Sequence, residues 1–234
     1  MASSLRVVSL VPSVTETLLS WGIEPVACTR FCEQPSIDHV GGTKDPNLDA
    51  IEKLKPDLVV VDREENRLQD YQALMSRGID MESLHVASLD DVEPEMRRLA
   101  ARLGVDWSHV LSAPRPSREL RAFVPIWRQP WMTIGANTYG ASVLSHLGVD
   151  VLFADLDDPY PIIEERQLVD TEIDVVLAPS EPYPFGERHI ELLKSIAPAV
   201  LVDGQDLFWW GARTAVAIER LDQNLEAAID GGRR

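Results

Sequence analysis

FVPIWRQPWMTIGANTY, residues 123–139, sets a short apolar run before an aromatic, proline-bearing loop and a helix start. Phe123, Val124 and Ile126 read as a buried strand. Trp127, Arg128, Gln129, Pro130 and Trp131 cannot continue it, and Asn137 or Thr138 can cap a helix over 137–148. A strand feeding a loop that opens a helix is where α/β proteins place ligands. Two tryptophans and an arginine on such a loop have two open readings: they hold something, or they plug the strand ends against neighbouring loops.

Outward from this stretch the same order recurs. Strands are expected over 6–11, 25–29, 57–61, 83–87, 122–127, 149–153, 173–178 and 199–202. Helices are expected over 15–22, 47–54, 66–78, 90–103, 137–148, 163–169, 187–196 and 212–229. Ser13 with Glu16 reads as a capping box for the first helix, and Gly22 as its end. Strands alternating with helices imply an α/β fold with parallel pairing and helices on both faces. Residues 47–66 (NLDAIEKLKPDLVVVDREEN) and 162–182 (IIEERQLVDTEIDVVLAPSEP) share helix, acidic turn, strand and polar loop, with Asp57 and Asp174 in equivalent places. The expected division is a first lobe over 1–89, a linker over 90–121 and a second lobe over 122–234. A single sheet with a long insertion is the alternative. Val92, Met96, Leu99 and Leu103 give the linker a helical stripe, Gly104 ends it, and Pro114 and Pro116 break the remainder of the linker.

With 22 basic against 38 acidic residues, the net charge of -16 argues against general nucleic-acid binding. No apolar run approaches the roughly 20 residues that a membrane-spanning helix needs. The N-terminus, MASSLRVVSLVPS, lacks the basic, apolar and cleavage regions of a leader. As given, the chain therefore reads as cytoplasmic, or as periplasmic or surface-anchored where a leader has been removed. Cys28 and Cys32 are the only cysteines and fit neither a disulfide framework nor a structural zinc pattern, so they read as unpaired thiols.

No catalytic signature is present: there is no G-x-S-x-G elbow, H-E-x-x-H pair, phosphate-binding G-x-x-x-x-G-K-[ST] or G-x-G-x-x-G. The five histidines, His39, His85, His109, His146 and His189, are scattered, so no catalytic residue and no metal ligand set is assigned. The aromatics carry the signal instead. Phe31, Trp127, Trp131, Tyr160, Tyr183, Phe185, Trp209 and Trp210 fall in loops after strands or near helix starts, often beside proline. Such loops suit a bulky, partly apolar ligand, with Arg63 or Arg128 available for an anionic group. Sealing of a lobe interface is the competing reading.

The stretches RVVSLVPSVTETL (6–18), VGGTKDPNLDAI (40–51), LKPDLVVV (54–61) and PIWRQPWMTIG (125–135) resemble the helical-backbone metal receptor superfamily. These are the cobalamin- and ferric-siderophore-type substrate-binding proteins of ABC importers, and the resemblance spans nearly the whole chain. It implies two Rossmann-like lobes joined by a helix, here shortened by proline, with the ligand in a cleft between them. It also implies a non-enzymatic role, no intrinsic cofactor, and cobalamin, haem or a ferric siderophore as ligand. The crevice loops it points to are Pro12-Ser13, Thr43-Lys44, Asp62-Arg63, 127–131 and 180–185. Asp49 matches one of the two acidic residues that such proteins offer to a permease; at the other stands Arg166, flanked by Glu164 and Glu165, with Glu165 taking the role. An enzyme using the same cleft, a binder of a bare metal ion and a protein-interaction module are the alternatives. Replacing Trp131 with alanine is expected to weaken ligand binding more than folding.

Overall fold

The computed structural model describes residues 5–108 and 110–232. The first four residues, part of the N-terminal stretch judged for a leader, and His109 lie outside that range. The chain forms two compact units. The first comprises Met1–Val86, Asp90–His109 and Trp210–Ala212; the second comprises Ala87–Leu89, Val110–Trp209 and Arg213–Arg234.

Unit 1 runs β1 (Val7–Ser9), α1 (Pro12–Ser20), β2 (Ala27–Cys28), α2 (Leu48–Leu54), β3 (Leu58–Asp62), α3 (Leu68–Ser76), β4 (Met81–Leu84) and α4 (Leu89–Leu103). Its sheet has the order β2-β1-β3-β4, and every pair is parallel. The run LVVVD forms β3, and all five of its residues are buried. Val8, Leu10, Ile51, Val59, Val61 and Leu74 form one core cluster around it.

Unit 2 runs β5 (Leu120–Phe123), β6 (Trp131–Met132), α5 (Tyr139–His146), β7 (Val149–Val151), β8 (Ile162–Ile163), α6 (Glu165–Asp170), β9 (Val175–Pro179), α7 (Glu187–Lys194), β10 (Ala199–Val202), α8 (Gly204–Phe208) and α9 (Thr214–Gly232). Its parallel sheet is β10-β9-β5-β7, so in both units the first strand lies between the second and third, and the fourth lies beyond the third. The main strands thus form two four-stranded sheets, where the alternative needed one. A two-stranded antiparallel ribbon, β6-β8, stands beside the second sheet.

The repeat extends to side chains. The Arg6 N–H donates to Asp57 Oδ2 at 2.8 Å, while the Asp57 N–H donates back to the Arg6 carbonyl at 2.8 Å. In unit 2 the Arg121 N–H donates to Asp174 Oδ2 at 2.8 Å, and the Asp174 N–H to the Arg121 carbonyl at 3.0 Å. Each aspartate therefore clamps the start of its sheet. The Arg121 guanidinium, 3.1 Å from Asp174, holds that carboxyl below the usual carboxylate range.

Several boundaries differ from the expectation. Helix α1 starts at Pro12, with Val11 as N-cap and no side-chain capping bond, so Ser13 lies inside the helix and closes no capping box. Proline has no N–H to satisfy, which suits the first helical position. Thr138, not Asn137, caps α5, accepting from the Ala141 N–H. Strand β4 ends at Leu84. Residues 131–132 and 162–163, expected as loop and helix start, pair as β6 and β8, and α8 was not foreseen. Of the expected linker, α4 is helical and buries Val92, Met96 and Leu99; the residues described between 105 and 119 form neither helix nor strand. The prolines at 114 and 116 deny that segment an uninterrupted helix.

Candidate functional site

The loops leaving the carboxyl ends of the strands collect most of the expected binding residues, and each unit builds its own edge. In unit 2 the loop after β5 turns back on itself. The Ile126 N–H donates to the Met132 carbonyl at 2.9 Å, and the Met132 N–H to the Trp127 carbonyl at 3.1 Å. Thr133 Oγ1 donates to the Val124 carbonyl at 2.8 Å, tying this hairpin to the strand end. The hairpin divides the two tryptophans. Trp127 is 46% exposed at the turn, whereas Trp131 is 8% exposed and belongs to the core with Phe123, Phe185 and Leu193.

An aromatic chain connects tip to core. Trp127 meets Tyr183 edge-on at 5.4 Å, Tyr183 leans on Phe185 at 4.6 Å, and Phe185 stacks on Trp131 at 6.4 Å. Trp131 in turn meets Phe123 edge-on at 6.0 Å. His189 sits 5.6 Å from both Tyr183 and Phe185, and its Nδ1 accepts the Gly186 N–H at 3.1 Å. Burial, with Arg188 and Arg128 nearby, lowers its pKa and favours the neutral ring. Trp131 and Phe185, expected to face a ligand, are thus core side chains; Trp127 and Tyr183 form the accessible end. The guanidinium of Arg128 makes no hydrogen bond or ion pair among the described residues. It borders a groove of ≈ 790 Å³ floored by Trp131, Ile163 and Leu168 and rimmed by Glu164 and Glu165.

The other expected residues of unit 2 lie apart from that chain of rings. Tyr160 is half-buried, its N–H bound to Asp158 Oδ1 at 2.9 Å. Trp209 is half-buried beneath the Arg213 guanidinium, 4.9 Å from its ring centre. Trp210 is buried and belongs to unit 1. Glu165 is exposed in the first turn of α6.

In unit 1 the carboxyl edge is organised by a residue read from sequence only as a helix start. Asn66 Nδ2 donates to the Leu10 carbonyl at 3.1 Å and the Thr43 carbonyl at 3.0 Å, while its Oδ1 accepts the Asp62 N–H at 2.9 Å. One amide side chain therefore joins the loops after β1, β2 and β3. Asp62 is 2% exposed, and its Oδ1 accepts the N–H groups of Glu64 at 2.8 Å and Glu65 at 3.2 Å. Its Oδ2 is buried without a partner among the described residues, and burial raises its pKa. The spacing D-x-x-x-N after an apolar strand is the signal that could have marked this knot.

Around it lie the remaining expected residues. Ser13 is buried and Pro12 half-buried in α1; Lys44 is exposed and donates to the Glu64 carbonyl. Arg63 is exposed and makes no side-chain hydrogen bond or ion pair among the described residues. Phe31 is 50% exposed under the Arg30 guanidinium, 4.7 Å from its ring centre. Asp49 is exposed in α2 and shares Arg77 with Glu52, each at 2.8 Å. No three His, Cys, Asp or Glu side chains converge as a metal site among the described residues.

No family model matches the chain. Over 248 residues it is 24% identical to the vitamin B12-binding protein of Pectobacterium carotovorum subsp. carotovorum, covering 97% of this chain and 90% of that protein. It superposes on the periplasmic vitamin B12-binding protein BtuF of Vibrio cholerae with a TM-score of 0.74 at 18% identity, covering 95% of this chain and 97% of the other. The chain has the class III periplasmic-binding-protein fold. Within that fold it also superposes on the periplasmic heme-binding protein RhuT from Roseiflexus sp. RS-1, with a TM-score of 0.76 at 17% identity, covering 97% of this chain and 99% of the other. No helix among the described residues is long and apolar enough to cross a membrane.

Proposed function

We propose that this chain is a non-enzymatic substrate-binding protein for a corrinoid or an iron chelate such as haem or a siderophore, of the ABC-importer type. The observation that carries this reading is the similarity to a vitamin B12-binding protein along 97% of the chain. Site chemistry supports it. Trp127 and Tyr183 offer aromatic faces at a loop tip pinned by backbone hydrogen bonds, so little ordering is left to oppose binding. The guanidinium groups of Arg128 and Arg63, without hydrogen bond or ion pair among the described residues, suit the carboxylates or phosphate that such ligands carry. A planar macrocycle gains from apolar contact with the rings and from charge pairing at its acidic edge.

In this reading Asp49 and Glu165, both exposed, are the acidic groups presented to a permease outside the cytoplasmic membrane. Asp49 carries an internal competitor in Arg77, which a docking arginine must displace or share.

Titration of the purified protein with cyanocobalamin, haemin and a ferric hydroxamate, followed by tryptophan fluorescence, tests the proposal. Saturable quenching by at least one of them is expected; flat titrations with all three contradict it.

A further inference from the structure

Two buried thiols that the binding reading leaves unused share one cluster at the end of β2. Cys28 closes that strand and is 0% exposed; Cys32 is 2% exposed and shares a cluster with Cys28 and Ile37, covered by Leu19. A turn returns the chain between them: the Cys32 N–H donates to the Thr29 carbonyl at 3.1 Å. Thr15 Oγ1, whose single proton is shared with the Val11 carbonyl at 3.1 Å, stands 3.2 Å from the Cys32 sulfur, and Thr29 Oγ1 stands 3.2 Å from the same sulfur.

We propose that Cys28 and Cys32 are a peroxide-responsive dithiol that closes into an intramolecular disulfide, with Cys32 as the attacking sulfur and Cys28 as the resolving one. The neighbouring Cys28 thiol and the hydroxyls beside Cys32 favour negative charge there and lower its pKa, while proximity to Cys32 and burial push Cys28 up. With Cys32 2% exposed and Cys28 0%, the oxidant must be small, as a peroxide is. The Cys32 thiolate attacks one peroxide oxygen, the O–O bond breaks, and the departing hydroxide takes a proton to become water. Cys32 is then a sulfenic acid. The Cys28 sulfur attacks the Cys32 sulfur, the S–O bond breaks, and the Cys28 proton leaves with the hydroxide as a second water. Two electrons have passed from the sulfur pair to the peroxide.

The bond would close a ring around Thr29, Arg30 and Phe31, the turn that stacks Arg30 over Phe31 and pairs Arg30 with Asp45 at 3.1 Å. Oxidation therefore acts on a turn that carries an exposed aromatic ring. Its test is independent of ligand binding.

The intact protein is treated with hydrogen peroxide, its fold is followed by circular dichroism, and free thiols are blocked before trypsin digestion. Arg30 lies between the two cysteines, so cleavage there leaves their peptides joined only when a disulfide links them. Joined peptides from a folded monomer are expected. Cys28→Ser should stop at a sulfenic acid on Cys32 that a 1,3-dione traps, and Cys32→Ser should keep its Cys28 thiol at the same dose. Two free thiols in treated, folded wild-type protein overturn the proposal, as do bonds formed only between copies. Equal oxidation of Cys28 in Cys32→Ser overturns the assignment of roles.

Discussion

Trp127 and Trp131 are four positions apart, yet the hairpin between them gives them different work. Trp131→Ala removes a ring packed on Phe123 and Phe185, a truncation that costs about 3–5 kcal/mol in a folded core. Trp127→Ala removes a ring 46% exposed at a loop tip, and its folding cost is expected within about 0.5 kcal/mol. In the binding account, Trp127→Ala weakens ligand affinity about tenfold, or about 1.4 kcal/mol. Urea unfolding and a ligand titration of both variants check this. Asp62 yields a pH prediction. Burial raises its pKa in the folded chain, so the folded state holds the proton more tightly than the unfolded one. That contribution is full below the unfolded pKa and is lost as pH rises through the folded value. Asp62→Asn keeps an Oδ1 acceptor and never becomes charged. Its stability relative to wild type should therefore rise from acid to neutral pH, measured by unfolding across that range; a flat difference contradicts the assignment.

Two ties between elements deserve mutation for what they hold together. Asn66 joins the loops after β1, β2 and β3 through one amide. Asn66→Ala leaves those backbone groups without that partner and is expected to cost about 2–3 kcal/mol, read as a lowered urea midpoint with an unchanged slope. Asp222 on α9 accepts from Arg115 at 3.0 Å and also from Arg118, anchoring the helix to the segment before β5. Asp222→Ala leaves the largely buried Arg118 guanidinium with only the Leu147 carbonyl at 2.7 Å and Glu226 at 3.9 Å, and is expected to cost about 2 kcal/mol in the same measurement. At this scale sequence reading had uneven reach. The runs VVS, LVVVD and VVLAP are apolar on both faces, so β1, β3 and β9 were legible, as was the pairing of Asp57 with Asp174. The ribbon β6-β8 was not, because each strand has two residues and no periodicity, and its pairing is settled by a partner some thirty positions away. Core placement of Trp131 was hidden for the same reason: Phe185, which stacks on it, comes from the loop after β9. Asn66 looked like a helix start because its three backbone partners lie in different loops.

For the whole molecule, the two sheets with matching strand order place the aromatic and cationic residues on carboxyl-edge loops, where parallel sheets hold ligands. The sequence conveyed that architecture through the alternation of strands and helices. Which of those residues are free to meet a ligand depended on hairpin and core contacts that spacing does not encode. The central claim is that the chain binds a corrinoid or an iron chelate. Isothermal titration of the protein with cyanocobalamin, haemin and a ferric hydroxamate, run beside Trp127→Ala, tests it most directly. The account predicts saturable binding of at least one ligand by the wild type and weaker binding of that same ligand by a folded Trp127→Ala. No heat of binding from any of the three with the folded wild-type protein would contradict it.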